Sequence, residues 1–289
     1  MFRQVEPCSV NPTPQQALQV RHATHPDQVP GFDTATLRHT YLVEDLFTPD
    51  TVTAVLTHHD RIVLAGARPV SGPLTLGTWP ELRSEYFLER REAGIVNVGE
   101  PGTVTVDGTK FELTTGACLY AGRGARDLVF EGTEAAYYVF SAAAHTEFPT
   151  TFIQPGGGNR LELGDQQTAN RRTIDQYIHA DGVRSCQIVL GVTTLHPGST
   201  WNTMPAHTHD RRTECYLYFG LPASDRIVHL LGEPEETRHL VVADRQAVIS
   251  PSWSIHSGVG TSAYSFVWAM AGENQAFGDM DGVDVKDLR

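Results

Sequence analysis

The sequence predicts an all-β chain of two related β-barrels with few short helices. Three observations carry this: many short runs of β-branched and aromatic residues, dense turn signals, and an internal repeat between the two halves. The 289 residues include 26 glycines and 17 prolines. That density cuts a chain into short elements and disfavours long helices. At roughly 100–200 residues per domain, the length suits two domains. They are expected at 1–145 and 146–289, the first lacking metal ligands and the second holding them.

From the N-terminus, a helix is expected near Pro14 to Arg21 and another near Thr34 to Leu46. The clearest strand pair follows at Thr103 to Leu113, where two alternating runs flank Asp107-Gly108. That dipeptide is a strong hairpin signal, because both residues tolerate positive φ. Thr146 to Arg172 is rich in Pro, Gly, Thr and Asn and contains Gly156-Gly157-Gly158, so a linker is expected there. Strands are then expected at Cys186 to Leu195, Glu214 to Phe219, Arg226 to Leu231, His239 to Val242, Gln246 to Ile249 and Tyr264 to Met270.

The repeat aligns Tyr86-Phe87-Leu88-Glu89-Arg90-Arg91-Glu92 with His207-Thr208-His209-Asp210-Arg211-Arg212-Thr213-Glu214, with one residue inserted. It also aligns Ala117 to Arg126 with Ala247 to His256. The first copy has Tyr86, Leu88 and Arg126 where the second has His207, His209 and His256. Only the second half therefore has the residues for a metal site.

His207-x-His209 followed by Glu214 is the sharpest local signal. On a strand, residues i and i+2 share a face, so the two imidazoles converge. A bend at Asp210 to Thr213 returns the Glu214 carboxylate to that face. His256 joins them from a turn after Pro251. Three imidazoles and one carboxylate suit Zn²⁺, with Mn²⁺, Fe²⁺, Co²⁺ and Ni²⁺ also compatible. Most of the 13 histidines lie at loop positions. His229 alternates with apolar neighbours and is expected in the core.

The pairs Arg90-Arg91, Arg171-Arg172 and Arg211-Arg212 offer planar forks for a carboxylate. The net charge of −12 argues against nucleic acid and against an anionic membrane surface. No apolar window reaches transmembrane length. The first residues lack the apolar core of a signal peptide, and Cys8, Cys118, Cys186 and Cys215 form no C-x-x-C pair. A cytoplasmic protein with reduced thiols is therefore expected.

The ligand spacing resembles the cupin superfamily. His207, His209 and Glu214 match its first metal motif. Pro251 and His256 match its second, with Trp253 replacing a glycine. The flanking glycines fit poorly, since Gly198 lies too far from His207 and Gly220 comes one residue early. A closer resemblance, to the 5-keto-4-deoxyuronate isomerase family, spans nearly the whole chain. It rests on Tyr86 to Glu92, Trp201 to His209, Ile249 to Gly260 and the tail from Gly272-Glu273-Asn274-Gln275 to Arg289.

That resemblance implies a duplicated cupin, that is, two double-stranded β-helix barrels. It implies one zinc ion per subunit, held by His207, His209, Glu214 and His256, and a homohexamer. It also implies an aldose–ketose isomerisation of a sugar acid in pectin and uronate degradation. The substrate carboxylate calls for an arginine, with Arg171, Arg172, Arg211 and Arg238 as candidates, beside Trp201 and Asn202. Glu214, His239 and Tyr218 are the candidates for the catalytic base. An iron-dependent dioxygenase and a sugar-binding barrel are the competing classes.

Overall fold

The structure is a computed structural model that describes residues 17–289. Most of the chain forms two assemblies of the same design. In the first, a seven-stranded sheet runs in the order Gln19–Arg21, Val52–Thr57, Val63–Ala67, Tyr137–Ala143, Arg91–Asn97, Cys118–Ala121, Thr151–Ile153. A four-stranded sheet, Leu74–Thr75, Leu128–Glu131, Gly102–Val106, Thr109–Leu113, closes it into a barrel. The second repeats this plan with Asn159–Leu163, Arg172–Ile178, Val189–Leu195, Ser265–Gly272, Arg212–Phe219, Ala247–Ser250 and Leu42–Val43. Its smaller sheet is Trp201–Asn202, Ser257–Gly260, Ile227–Glu233, Glu236–Val242. The duplicated all-β barrel expected from the sequence is therefore present.

The Asp107-Gly108 turn forms as its chemistry demands. Both residues have positive φ, 46° and 81°, and Val106 pairs with Thr109 across the two-residue loop. Asp33 caps the helix Thr34–Tyr41 by accepting from the Thr36 amide at 2.7 Å. That helix stops before Leu42–Val43, which is a strand, so it is shorter than expected. The expected helix near Pro14 does not continue to Arg21. Gln19–Arg21 is a strand pairing parallel to Val52–Thr57, and Pro14 lies outside the described residues.

The expected linker from Thr146 to Arg172 contains two strands. Thr151–Ile153 completes the first sheet and Asn159–Leu163 begins the second. In exchange, Leu42–Val43 from the first half completes the second sheet. Each sheet thus takes its last edge strand from across the middle of the chain.

Strand alternation sorts the cores. Ala93 and Ile95 face the first barrel, while Tyr216 and Tyr218 face the second. Val96, Cys215 and Leu217 take the opposite face and join a third core where the two large sheets stack. A side chain on Gly94 would strike Leu190 at 2.6 Å, which shows how closely the sheets approach.

This alternation corrects the repeat. Arg91 pairs with Ala143 and Arg212 with Gly272, on strands that hold the same place in their sheets. Ala93, not Glu92, then occupies the place of Glu214. A one-residue offset moves Glu92 to the other face. There it is fully buried between the barrels, accepting from the amides of Cys186, Gln187 and Ile188 at 2.7, 2.8 and 3.1 Å and from the Tyr120 hydroxyl at 2.7 Å.

Cys118 and Cys215 are buried, Cys186 is half-buried, and all three are free thiols; Cys8 lies outside the described residues. Among the described residues, no helix is long and apolar enough to cross a membrane.

Candidate metal centre

The four predicted ligands meet at one end of the second barrel. His207–Thr208 is extended, as expected, but its strand partner is Asp281–Gly282 of the C-terminal tail. The chain then turns, and Arg212–Phe219 enters the barrel with Glu214 on its inner face. His256 stands just before the strand Ser257–Gly260.

His207 Nε2 lies 3.2 Å from His209 Nε2 and 3.1 Å from His256 Nε2. Glu214 Oε2 lies 2.9 Å from His209 Nε2 and 2.8 Å from His256 Nε2. All four donor atoms fall within 4.8 Å of one another. Bonds of about 2.0–2.1 Å to a tetrahedral ion would set neighbouring donors roughly 3.3 Å apart, so the set fits such an ion.

The charge states fit as well. Burial, then the neighbouring His256, pushes His207 down to about 3. Burial opposes ionisation of Glu214, but His256 and His209 outweigh it and hold the carboxyl well below the usual range. For these two groups, a neutral imidazole and a carboxylate are the forms that bind a metal. The His209 Nδ1–H donates to the Asp279 carbonyl at 2.7 Å, which leaves Nε2 bare and facing the other donors. Arg212, fully buried, donates to the Ala276 and Asp279 carbonyls at 2.8 Å each and fixes that segment.

A cavity of about 230 Å³ opens onto three of the donors, His207, His209 and Glu214. Its walls include Phe266, Trp268, Met270 and Met280, with two polar groups of note, Arg172 and Tyr216. Arg172 donates to the Asn170 carbonyl at 2.9 Å and has no carboxylate partner among the described residues. Burial lowers its pKa against the raising effect of Tyr216. The Tyr216 hydroxyl bonds Thr203 Oγ1 at 2.9 Å. Burial, then the Glu214 charge, pushes its phenol well above the ordinary value, so it remains protonated.

The other predicted residues fall outside this cavity. Arg171 is exposed beside it in sequence. Arg211 grips Asp279 at 2.6 and 3.0 Å and Asp281 at 2.7 Å. Arg238 donates to the Val29, Pro30 and Phe32 carbonyls, holding the N-terminal segment instead. Trp201 does not line the cavity, and the Asn202 amide donates to the Tyr264 hydroxyl at 2.7 Å. His239 is exposed on Glu236–Val242. Tyr218 shares the inner face but lies one step deeper, bonded to His229 Nδ1 at 2.7 Å.

Sequence reasoning missed Tyr216, although it stands two residues beyond Glu214 on the same face. It also missed the tail, whose Asp279 and Met280 carry no local signal. A broader groove of about 630 Å³ along Thr151 to Val183 lies apart from the donors.

Comparison with known proteins agrees with this architecture. A protein of Kineococcus radiotolerans named 4-deoxy-L-threo-5-hexosulose-uronate ketol-isomerase is 67% identical over 279 residues, covering 94% of this chain and all of that protein. An Escherichia coli protein of the same name is 48% identical over 278 residues, again covering 94% of this chain and all of the relative. Among solved structures, an IolB-like protein of Salmonella typhimurium superposes with a TM-score of 0.64 at 16% identity, over 77% of this chain and 87% of that one. Oxalate decarboxylase of Bacillus subtilis, whose structure was studied for its Mn(II) centres, reaches 0.50 at 10% identity, over 77% and 71%. These two share the fold. The pattern of the KduI/IolB family matches residues 74–286, and with relatives this similar along the chain, the protein belongs to that family.

Proposed function

We propose that the protein is a zinc-dependent ketol-isomerase. Its substrate would be 5-dehydro-4-deoxy-D-glucuronate and its product 3-deoxy-D-glycero-2,5-hexodiulosonate, in the breakdown of pectin and related uronate polymers. The reading includes a metal-free first domain, 1–145, a metal-binding second domain, 146–289, a homohexamer and a cytoplasmic setting. The shared name of the relatives supports it. The observation that carries it is the meeting of four metal donors beside a cavity lined by three of them, His207, His209 and Glu214, and by the unpaired Arg172.

His207, His209, Glu214 and His256 would hold the ion. A bound divalent cation supplies Lewis acidity toward the substrate's carbonyl and hydroxyl oxygens. Arg172 takes the carboxylate end, since its planar fork matches that group. This local cation is needed because the chain as a whole is acidic and the substrate is an anion. Tyr216 keeps its proton and donates a hydrogen bond to the oxygen that gains charge.

Isomerisation moves a proton from C2 to C1, and the hydroxyl proton from the C2 oxygen to the C1 oxygen, through an enediol. Of the three residues proposed as base, only Glu214 lines the cavity. Its Oε2 takes both close imidazole contacts, which leaves Oε1 to accept the C2 proton and return it at C1. The apolar walls keep water from the enediol. Anaerobic incubation with 5-dehydro-4-deoxy-D-glucuronate, followed by NMR, tests the reading. Appearance of the 2,5-diulosonate is expected; a requirement for O₂, or binding without conversion, would overturn it.

A further inference from the structure

Among the described residues the first barrel has no cluster of metal ligands, and its corresponding end is built around arginine. Strand register makes Arg91 the counterpart of Arg212. Arg212 spends its donors on the tail that covers the metal centre. Arg91 donates through Nε and Nη2 to Ser141 Oγ at 3.1 Å, the Ser141 carbonyl at 2.7 Å and the Arg61 carbonyl at 2.8 Å. Nη1 makes no hydrogen bond among the described residues.

Beside it lies a cavity of about 160 Å³. Arg61, Arg90, Arg91, Glu81, Ser84 and Leu56 are on its walls. Arg90 is anchored by its bonds to the Leu82 and Arg83 carbonyls. The ion pairs that arginines make among the described residues involve Arg38, Arg160, Arg211 and Arg245, so none of these three has a carboxylate partner. Glu81 is exposed and likewise makes no ion pair. Three cations therefore face one carboxylate in a chain of net charge −12. Burial, then the adjacent Arg61, pushes Arg91 down to about 10, as expected where positive charge is left without a counter-ion.

We propose that this pocket, beside Arg91 at the end of the first barrel, binds a small oxyanion, a phosphate or carboxylate group held by Arg61, Arg90 and Arg91. Arg90 and Arg91 are each held through Nη2 and keep Nη1 free of hydrogen bonds among the described residues, so they offer N–H donors to either group beside Arg61. The cavity admits the charged group and little beyond it, so a larger ligand would extend past Arg61 and Arg90 into solvent.

Calorimetric titration of the metal-loaded protein with inorganic phosphate, and separately with acetate, tests this at constant ionic strength set by chloride. Saturable binding of at least one anion is expected. It should weaken roughly tenfold or more in Arg61→Ala and Arg90→Ala, which alter exposed side chains, and survive in Arg172→Ala. The tighter of the two anions identifies the source as a phosphate-bearing or a carboxylate-bearing ligand. No saturable heat, or loss of binding only in Arg172→Ala, would overturn the proposal. So would a change of oligomeric mass in Arg61→Ala without anion binding by the unaltered protein, which would assign these arginines to a subunit contact.

Discussion

The Nδ1–H of His209 donates to the main-chain carbonyl of Asp279, 70 residues away, at 2.7 Å. One metal ligand is therefore oriented by the C-terminal tail. Arg211 clamps the Asp279 carboxylate, and Asn274 donates to it at 2.5 Å. Those bonds hold the carboxyl of Asp279 below its usual range. Asp279→Ala should loosen the tail and lower metal affinity roughly tenfold, within the range for lost outer partners of a ligand. Competition with a chromophoric chelator measures this; unchanged affinity would show that the clamp does not orient His209.

Arg172 is the one arginine on the cavity wall. A charge-assisted bond to the substrate carboxylate is worth about 1.5–3 kcal/mol, so Arg172→Ala should lower kcat/KM roughly 10–100-fold. Arg172→Lys should recover only part of this, because an ammonium cannot form the two parallel bonds. Steady-state kinetics on both variants decides it, and equal recovery by lysine would argue against a bidentate contact.

Glu92 joins the two barrels through four hydrogen bonds to its buried carboxylate. Glu92→Ala leaves three amides of the 186–188 segment without partners. The expected loss of stability is roughly 2–4 kcal/mol. Urea unfolding provides the check, with the metal centre intact at low denaturant. A loss below about 0.5 kcal/mol would mean that water replaces the carboxylate without penalty.

His229 is fully buried, with Nε2 unpartnered. Burial, then the nearby His256, pushes it down to about 3. In the unfolded chain a histidine titrates near about 6.5, so between these values the unfolded chain binds more protons. Its contribution is therefore fully present above about pH 6.5 and is lost as pH falls toward 3. The slope approaches about 1.4 kcal/mol per pH unit. Metal-free His229→Leu should lose less stability than the unaltered metal-free protein between about pH 7 and about pH 5. Parallel losses would contradict a neutral His229 in the fold.

The metal quartet was legible because its spacing follows strand geometry. His207 and His209 stand two apart, and Glu214 begins a run whose alternation is plain. The hairpin at Asp107-Gly108 was legible for the same local reason. What escaped the sequence depends on pairing between distant strands. Arg171 and Arg172 are adjacent, and only the register of Arg172–Ile178 decides which one reaches the cavity. Glu92 looked like Glu214 until the ladder showed a one-residue offset that reverses its face. The strands inside the expected linker are short, Thr151–Ile153 forming against Cys118–Ala121 and Asn159–Leu163 against Arg172–Ile178. His239 sits on an alternating strand, but on its exposed face.

Metal dependence of the isomerisation is the central claim, and a reconstitution titration tests it most directly. The protein is stripped with a chelator, zinc is returned in steps, and anaerobic conversion of 5-dehydro-4-deoxy-D-glucuronate is measured at each step. Activity should rise in proportion to bound zinc and level off at one ion per chain, while His207→Ala should neither retain the ion nor recover activity. Full activity in the stripped protein, or in His207→Ala, would contradict the account.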